Sequence, residues 1–339
     1  MKRIAALSSF VMSASWLFGP SPASATGSFY AGKQIQLIVG TAAGQDYDIW
    51  ARLLARHLGD HLAGNPKIVV QDMPGAGHII ATNYLYNQAA RDGTVIGMVT
   101  RNIVDAAVLQ ITDVRFDPTK FNWIGSPEIS HRVLLASTQS GIKSADDLFQ
   151  HELIIGATGE GQAVTTAPVL LKNMVGFNIK VVTGYHAPQD VVLAMQRNEV
   201  GGIVDTIGGA KDPRRQWISS GSMRILFNME PEAVASLDAP SLFQYLKTDK
   251  QRQVFGFLAG SMELGRPLFA PPGLPPERVA ELRKAFHETL TDPNFLKEAD
   301  SSGFDITYRS GEDIAARVAE TMRTPKDIAD IAQAGATLN

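Results

Sequence analysis

Two glycine-rich stretches have the composition of anion-binding loops. Thr41, Ala42, Ala43, Gly44, Gln45, Asp46 and Tyr47 follow a β-rich run at residues 35–39 (IQLIV) and precede a helical pattern. Thr158, Gly159, Glu160, Gly161 and Gln162 stand in the same way between residues 153–157 (LIIGA) and a helical run that starts at Ala163. Small side chains let a ligand reach the main chain, and the following helix offers free N–H groups and about half a positive charge. Each loop also reads as a tight turn with no ligand. Two of them, far apart in the chain, suggest two half-sites facing one cleft. Thr100 and Arg101 directly follow another β-rich run, residues 94–99 (TVIGMV), and should open toward the same side as Thr41. A guanidinium there can grip a carboxylate with two parallel hydrogen bonds, or simply lie solvated at the surface.

Other candidate chemistry is weaker. Residues 27–34 (GSFYAGKQ) approach a phosphate-binding loop, but Gln34 replaces the Ser/Thr and the motif precedes its strand. His57 and His61 have the i, i+4 spacing of metal ligands, yet no Glu follows His57 and both flank an apolar stripe. His151-Glu152 also lacks the rest of the zinc-protease motif. There is no G-x-S-x-G elbow and no dinucleotide fingerprint after a strand. Asp46, Asp48, Glu160 and Asp205 admit an acidic metal cluster, although helix capping is the commoner role of such residues. Cysteine is absent from the 339 residues, which removes thiol catalysis, disulfides and Cys-ligated metals. With 31 basic and 34 acidic residues the net charge is −3, against nonspecific nucleic-acid binding. Neither cofactor nor metal is expected.

The elements that must position these loops alternate. Trp50, Leu54, Leu58 and Leu62 form one helical stripe, ended by Gly64-Asn65-Pro66; residues 67–71 and 94–99 read as strands around a helix at 79–90. This βαβαβ pattern predicts a parallel sheet. Strand-like runs recur at 132–137, 153–157, 180–183, 202–205 and 223–227, with helices at 163–174, 188–198, about 279–290 and 310–322. Apolar residues make up 45% of a chain about twice the usual domain size, so two domains are expected. Residues 1–25 have the layout of a cleaved signal peptide: Lys2 and Arg3, an apolar run to Phe18, then Ala23-Ser24-Ala25. Cleavage is expected after Ala25, placing a soluble, monomeric mature chain in the periplasm.

Six segments resemble the tripartite tricarboxylate transporter receptors, often called Bug proteins: residues 40–52 (GTAAGQDYDIWAR), 72–78 (DMPGAGH), 90–94 (ARDGT), 156–162 (GATGEGQ), 182–200 and 271–290. Their order and spacing carry the resemblance. Gln45, Asp72 and His78 depart from the family's usual Gly, Asn and Gly, and Thr183-Gly184 stands where Val-Pro is usual. The resemblance implies an α/β, two-lobed type II periplasmic-binding-protein fold, each lobe a mostly parallel sheet flanked by helices. It places lobe one at 26–130 plus 255–339 and lobe two at 131–254. It further implies a small organic acid held by Thr41 to Gln45 on one side and Thr158 to Gln162 on the other. Tyr185, Asp205 and Thr206 complete the second wall, and integral-membrane transporter subunits are the partner. Two alternatives stand beside this receptor: a secreted metal-assisted hydrolase or lyase using Asp46, Asp48 and Glu160, and a subunit that presents ligand to a membrane kinase.

Overall fold

The alternation of strand and helix is borne out in a computed structural model that describes residues 28–158, 163–208 and 212–334; the leader expected at 1–25 lies outside them. The first lobe opens with β1 (Gln34–Val39), α1 (Asp46–His57), β2 (Lys67–Asp72), α2 (Ile79–Asn87), β3 (Val95–Met98), α3 (Ile103–Val108) and β4 (Asn122–Ser126). Alternation along β1 sends Leu37 and Val39 to one face of the sheet, beneath α1, and Ile38 to the other, beneath α2. Trp50 on α1 is fully buried and stacks on Phe304, with ring centroids 4.1 Å apart. A side chain of that size contributes about 1.5–3 kcal/mol by burial.

The chain then crosses at 127–130 into a second sheet: β5 (His131–Ser137), β6 (Leu153–Gly156), α4 (Ala163–Leu170), β7 (Ile179–Val182), α5 (Pro188–Gln196), β8 (Gly202–Ile207), α6 (Pro213–Ser219) and β9 (Met223–Asn228). It returns through α7 (Asp249–Gly260) to β10 (Leu268–Ala270), α8 (Pro276–Thr291), α9 (Pro293–Ser301), β11 (Arg309–Ser310), α10 (Gly311–Thr321) and α11 (Lys326–Ala334). The sheet orders are β11-β4-β10-β3-β1-β2 and β7-β6-β8-β5-β9.

Both sheets are mixed. The parallel pairing predicted by the βαβ pattern holds at β2–β1–β3 and at β7–β6–β8. It stops where the chain passes between lobes, because β4 and β5 leave and enter antiparallel to their neighbours β10, β8 and β9. Phe255 and Phe257 on α7, with Ile328, Ala329 and Ala332 on α11, join Leu134 of β5 in the second sheet's apolar core. The spacing of 328, 329 and 332 puts one apolar face of α11 against α7.

Candidate functional site

Strand register brings the ends of the strands that lead into the loops singled out by sequence to one side of the molecule. In the first lobe Val39 lies beside Met98, Met98 beside Leu268, and Leu268 beside Gly125 at the end of β4. The carboxyl ends of β1, β3 and β4 therefore share the edge at which the chain crosses over. In the second lobe His131, the first residue of β5, pairs with Ile207, the last of β8, and β8 runs parallel to β6. The carboxyl ends of β6 and β8 thus meet the same crossing. Ligands of open α/β sheets occupy this side.

On the first wall, Ala42, Ala43, Gly44, Gln45 and Asp46 are exposed, and Thr41 Oγ1 is buried without a hydrogen-bond partner. Gln45 supplies no side-chain cap to α1; instead the buried Asp48 accepts the Gly44 N–H at 2.6 Å. Asp48 also pairs with Arg52 at 2.7 Å, and Arg52 reaches Asp72. Asp46 accepts two bonds from Arg266, at 3.0 and 2.7 Å, and Arg266 pairs with Glu128 as well. Burial raises the Glu128 carboxyl above its ordinary range. Asp46 and Asp48 are therefore engaged by arginines, and Glu160 lies outside the described residues. Among those residues no group of three or more acids and histidines sits together as a metal site. His57 and His61 meet Glu298 and Asp292.

Tyr47 meets His78 edge-on, with ring centroids 5.2 Å apart. His78 Nδ1 accepts the Thr100 N–H at 3.1 Å, so that donor is already used. Arg101 is loosely held: its Nη1 is 3.5 Å from the Gly265 carbonyl and its Nε is buried with no partner. One helical turn on, Asp105 has Ser261, Arg132 and Arg101 as its electrostatic neighbours, while its Oδ1 is buried and unbonded. Burial pushes its pKa up to about 7.

On the second wall Thr158 is buried, whereas Gly159, Gly161 and Gln162 lie outside the described residues. The Tyr185 N–H reaches the Ala157 carbonyl at 3.4 Å, and its ring packs over Gly156. Asp205 accepts the Thr206 N–H at 2.7 Å and pairs with Arg214, which also grips Asp212 through two bonds of 2.8 and 2.7 Å. Burial raises the Asp205 pKa. A hollow of about 270 Å³ opens beside this pair, walled by Val192, Leu193 and Trp217.

Four charged residues of this region escape the sequence reading: Asp105, Arg132, Arg214 and Arg266. Arg132 alone carried a signal, a cation at the start of an otherwise apolar strand.

The model of the tripartite tricarboxylate transporter family receptor matches residues 50–333. The chain belongs to that family. Its members are solute-binding receptors of the periplasm. A UPF0065 protein of Bordetella pertussis is 25% identical over 295 residues, covering 84% of this chain and 85% of its own. A TctC solute-binding protein from Polaromonas, solved without ligand, is similar in fold: TM-score 0.71, 18% identity, 89% of this chain and 99% of that one. The MatC protein of Rhodopseudomonas palustris with bound malate gives a TM-score of 0.52 at 20% identity, over 88% and 99% of the two chains. A second R. palustris protein, with adipate, gives 0.53 at 20% identity, over 88% and 97%. These likenesses show the two-lobed fold. Among the described residues no helix is long and apolar enough to cross a membrane.

Proposed function

We propose that this receptor captures a small organic acid between its lobes and delivers it to the membrane subunits of a tripartite transporter, without catalysing a reaction. The observation that carries the reading is the convergence of the carboxyl ends of β1 and β3 with those of β6 and β8 on one crossing. The ligand contacts are assigned to Thr41, Ala42, Ala43, Gly44, Gln45, Asp46, Tyr47, Thr100 and Arg101 on one wall. Thr158, Gly159, Gly161, Gln162, Tyr185, Asp205 and Thr206 are assigned to the other. Family membership supports the receptor role, and the malate and adipate held by two structural relatives support an acid as the ligand.

A ligand that touches both lobes binds the closed arrangement better than the open one and shifts the population toward it. Membrane subunits can read that closed shape. The reading includes export through the leader at 1–25, which the mass of the mature protein from a periplasmic extract checks. The main test is a thermal-shift screen of di- and monocarboxylates. A bound acid at a hundredfold excess over its Kd should stabilise the fold by about 2.7 kcal/mol. No shift with any acid, or turnover of one, defeats the proposal.

A further inference from the structure

The hollow beside β8 has apolar walls and a polar floor whose bonds are already made. Pro188, Val192 and Leu193 of α5 and Trp217 of α6 enclose about 270 Å³. Leu193 is left 46% exposed at its rim. Pro188 is the first residue of α5, and Asp205, on the floor, pairs in register with Val133 near the start of β5. The hollow therefore stands at the same sheet edge as the crossing between the lobes, the edge at which α/β sheets hold ligands.

On the floor, Arg214 engages all three guanidinium nitrogens. Its Nε and Nη2 donate to Asp212 at 2.8 and 2.7 Å, and its Nη1 donates to Asp205. Asp212 also accepts the Gly208 N–H at 2.8 Å, and Asp205 the Thr206 N–H at 2.7 Å. Among the residues that line the hollow, two carboxylates face this one cation. A ligand carboxylate pushed in here would lose its water and meet like charge, with no guanidinium nitrogen free to receive it. A hydrocarbon loses nothing by entering. A cavity of about 150 Å³ already accepts benzene, so this one has room for a ring or a chain of about six carbons.

We infer that the hollow takes the hydrocarbon body of an amphipathic monocarboxylate, whose acid group meets the glycine loop of the first wall. This deepens the receptor reading and rests on it. The receptor then ranks a six-carbon monoacid above the diacid of equal length, because only the monoacid presents an uncharged end to the Asp205–Arg214–Asp212 floor. The same end covers Leu193, which the empty hollow leaves in water.

Calorimetric titration with butanoate, hexanoate and adipate tests this. A buried methylene is worth about fourfold in affinity, so hexanoate should bind about tenfold more tightly than butanoate. Adipate should bind clearly more weakly than hexanoate. Leu193→Glu, at a position exposed enough not to disturb folding, adds a third carboxylate at the rim and should remove most of the hexanoate gain while leaving butanoate unchanged. Leu193→Gln, which adds no charge, should remove less of it. Adipate or butanoate binding as tightly as hexanoate overturns the subsite and leaves the receptor standing. So does a Leu193→Glu protein that keeps the full gain or loses both monoacids equally. If malate binds and none of the three does, the subsite is again overturned. Binding of no acid at all overturns the receptor reading, and the subsite falls with it.

Discussion

His78 Nδ1 accepts the Thr100 N–H at 3.1 Å, and this bond joins the turn before α2 to the loop after β3. His78 itself sits in the left-handed region at φ 74°, one place beyond Gly77. The bond requires an unprotonated Nδ1, and burial holds the imidazole pKa down at about 4. The unfolded chain therefore takes up a proton near pH 6.5 while the folded one does not. This contribution to stability is complete above about pH 6.5 and is lost as pH falls toward 4. Urea denaturation across that window should show the loss in the wild type. His78→Asn, which tolerates the left-handed backbone, should flatten it; an unchanged slope in the variant shows that His78 is not its source.

Gly40 makes room for that imidazole. A Cβ there would lie 2.2 Å from His78 Nδ1 and 2.7 Å from its Cβ, so the ring must leave. Gly40→Ala should cost about 1–3 kcal/mol, as overpacking does. In the Gly40→Ala/His78→Asn double variant the two costs should be clearly less than additive. Strict additivity in denaturant titrations means that the two residues do not compete for the same space.

Asp105 gives the opposite pH dependence. Its folded pKa is raised to about 7 by burial, so between its ordinary value of 3.8 and 7 the folded state holds the proton more firmly. The stability it adds is complete below about pH 4 and disappears as pH rises through 7. Asp105→Asn should remove that decline and stabilise the protein at pH 8. A variant less stable than wild type at pH 8 means that the ionised carboxylate is needed for its attraction to Arg101 and Arg132.

These contacts show how far the sequence could be read. The loop at 41–45 was legible as a loop because glycine and small residues stand there between a β-branched run and an amphipathic stripe. Strands β1 to β3 and helices α1 and α8 were legible by periodicity. Strands β4 (NWIGS) and β10 (LFA) were not, since they are short and owe their conformation to neighbours distant in sequence: Gly125 to Leu268, and Phe269 to Trp123. Helix boundaries moved inward for a local reason; α5 ends at Gln196, before Asn198 at φ 59°. Arg266 was hidden because its partner lies far away in sequence. Arg266 reaches Asp46 across 220 residues, and no spacing rule spans that separation.

The Arg214–Asp205 pair carries the last prediction. Its side chains retain 22% and 13% of their exposure, and Arg214 is shared with Asp212. Removing one partner of such a pair leaves a desolvated charge behind. Arg214→Met should therefore cost about 3 kcal/mol, the low end for a broken buried pair given the residual exposure. The Met side chain would extend the apolar wall of Val192, Leu193 and Trp217, so the penalty comes from Asp205 and Asp212 and not from lost packing. Adding Asp205→Asn to Arg214→Met should then recover much of the loss, because the amide carries no charge to leave unpaired. A single variant that costs less than about 1 kcal/mol, the range of an exposed ion pair, means that water already screens the carboxylates. In that case Asp205 is free to meet a ligand directly.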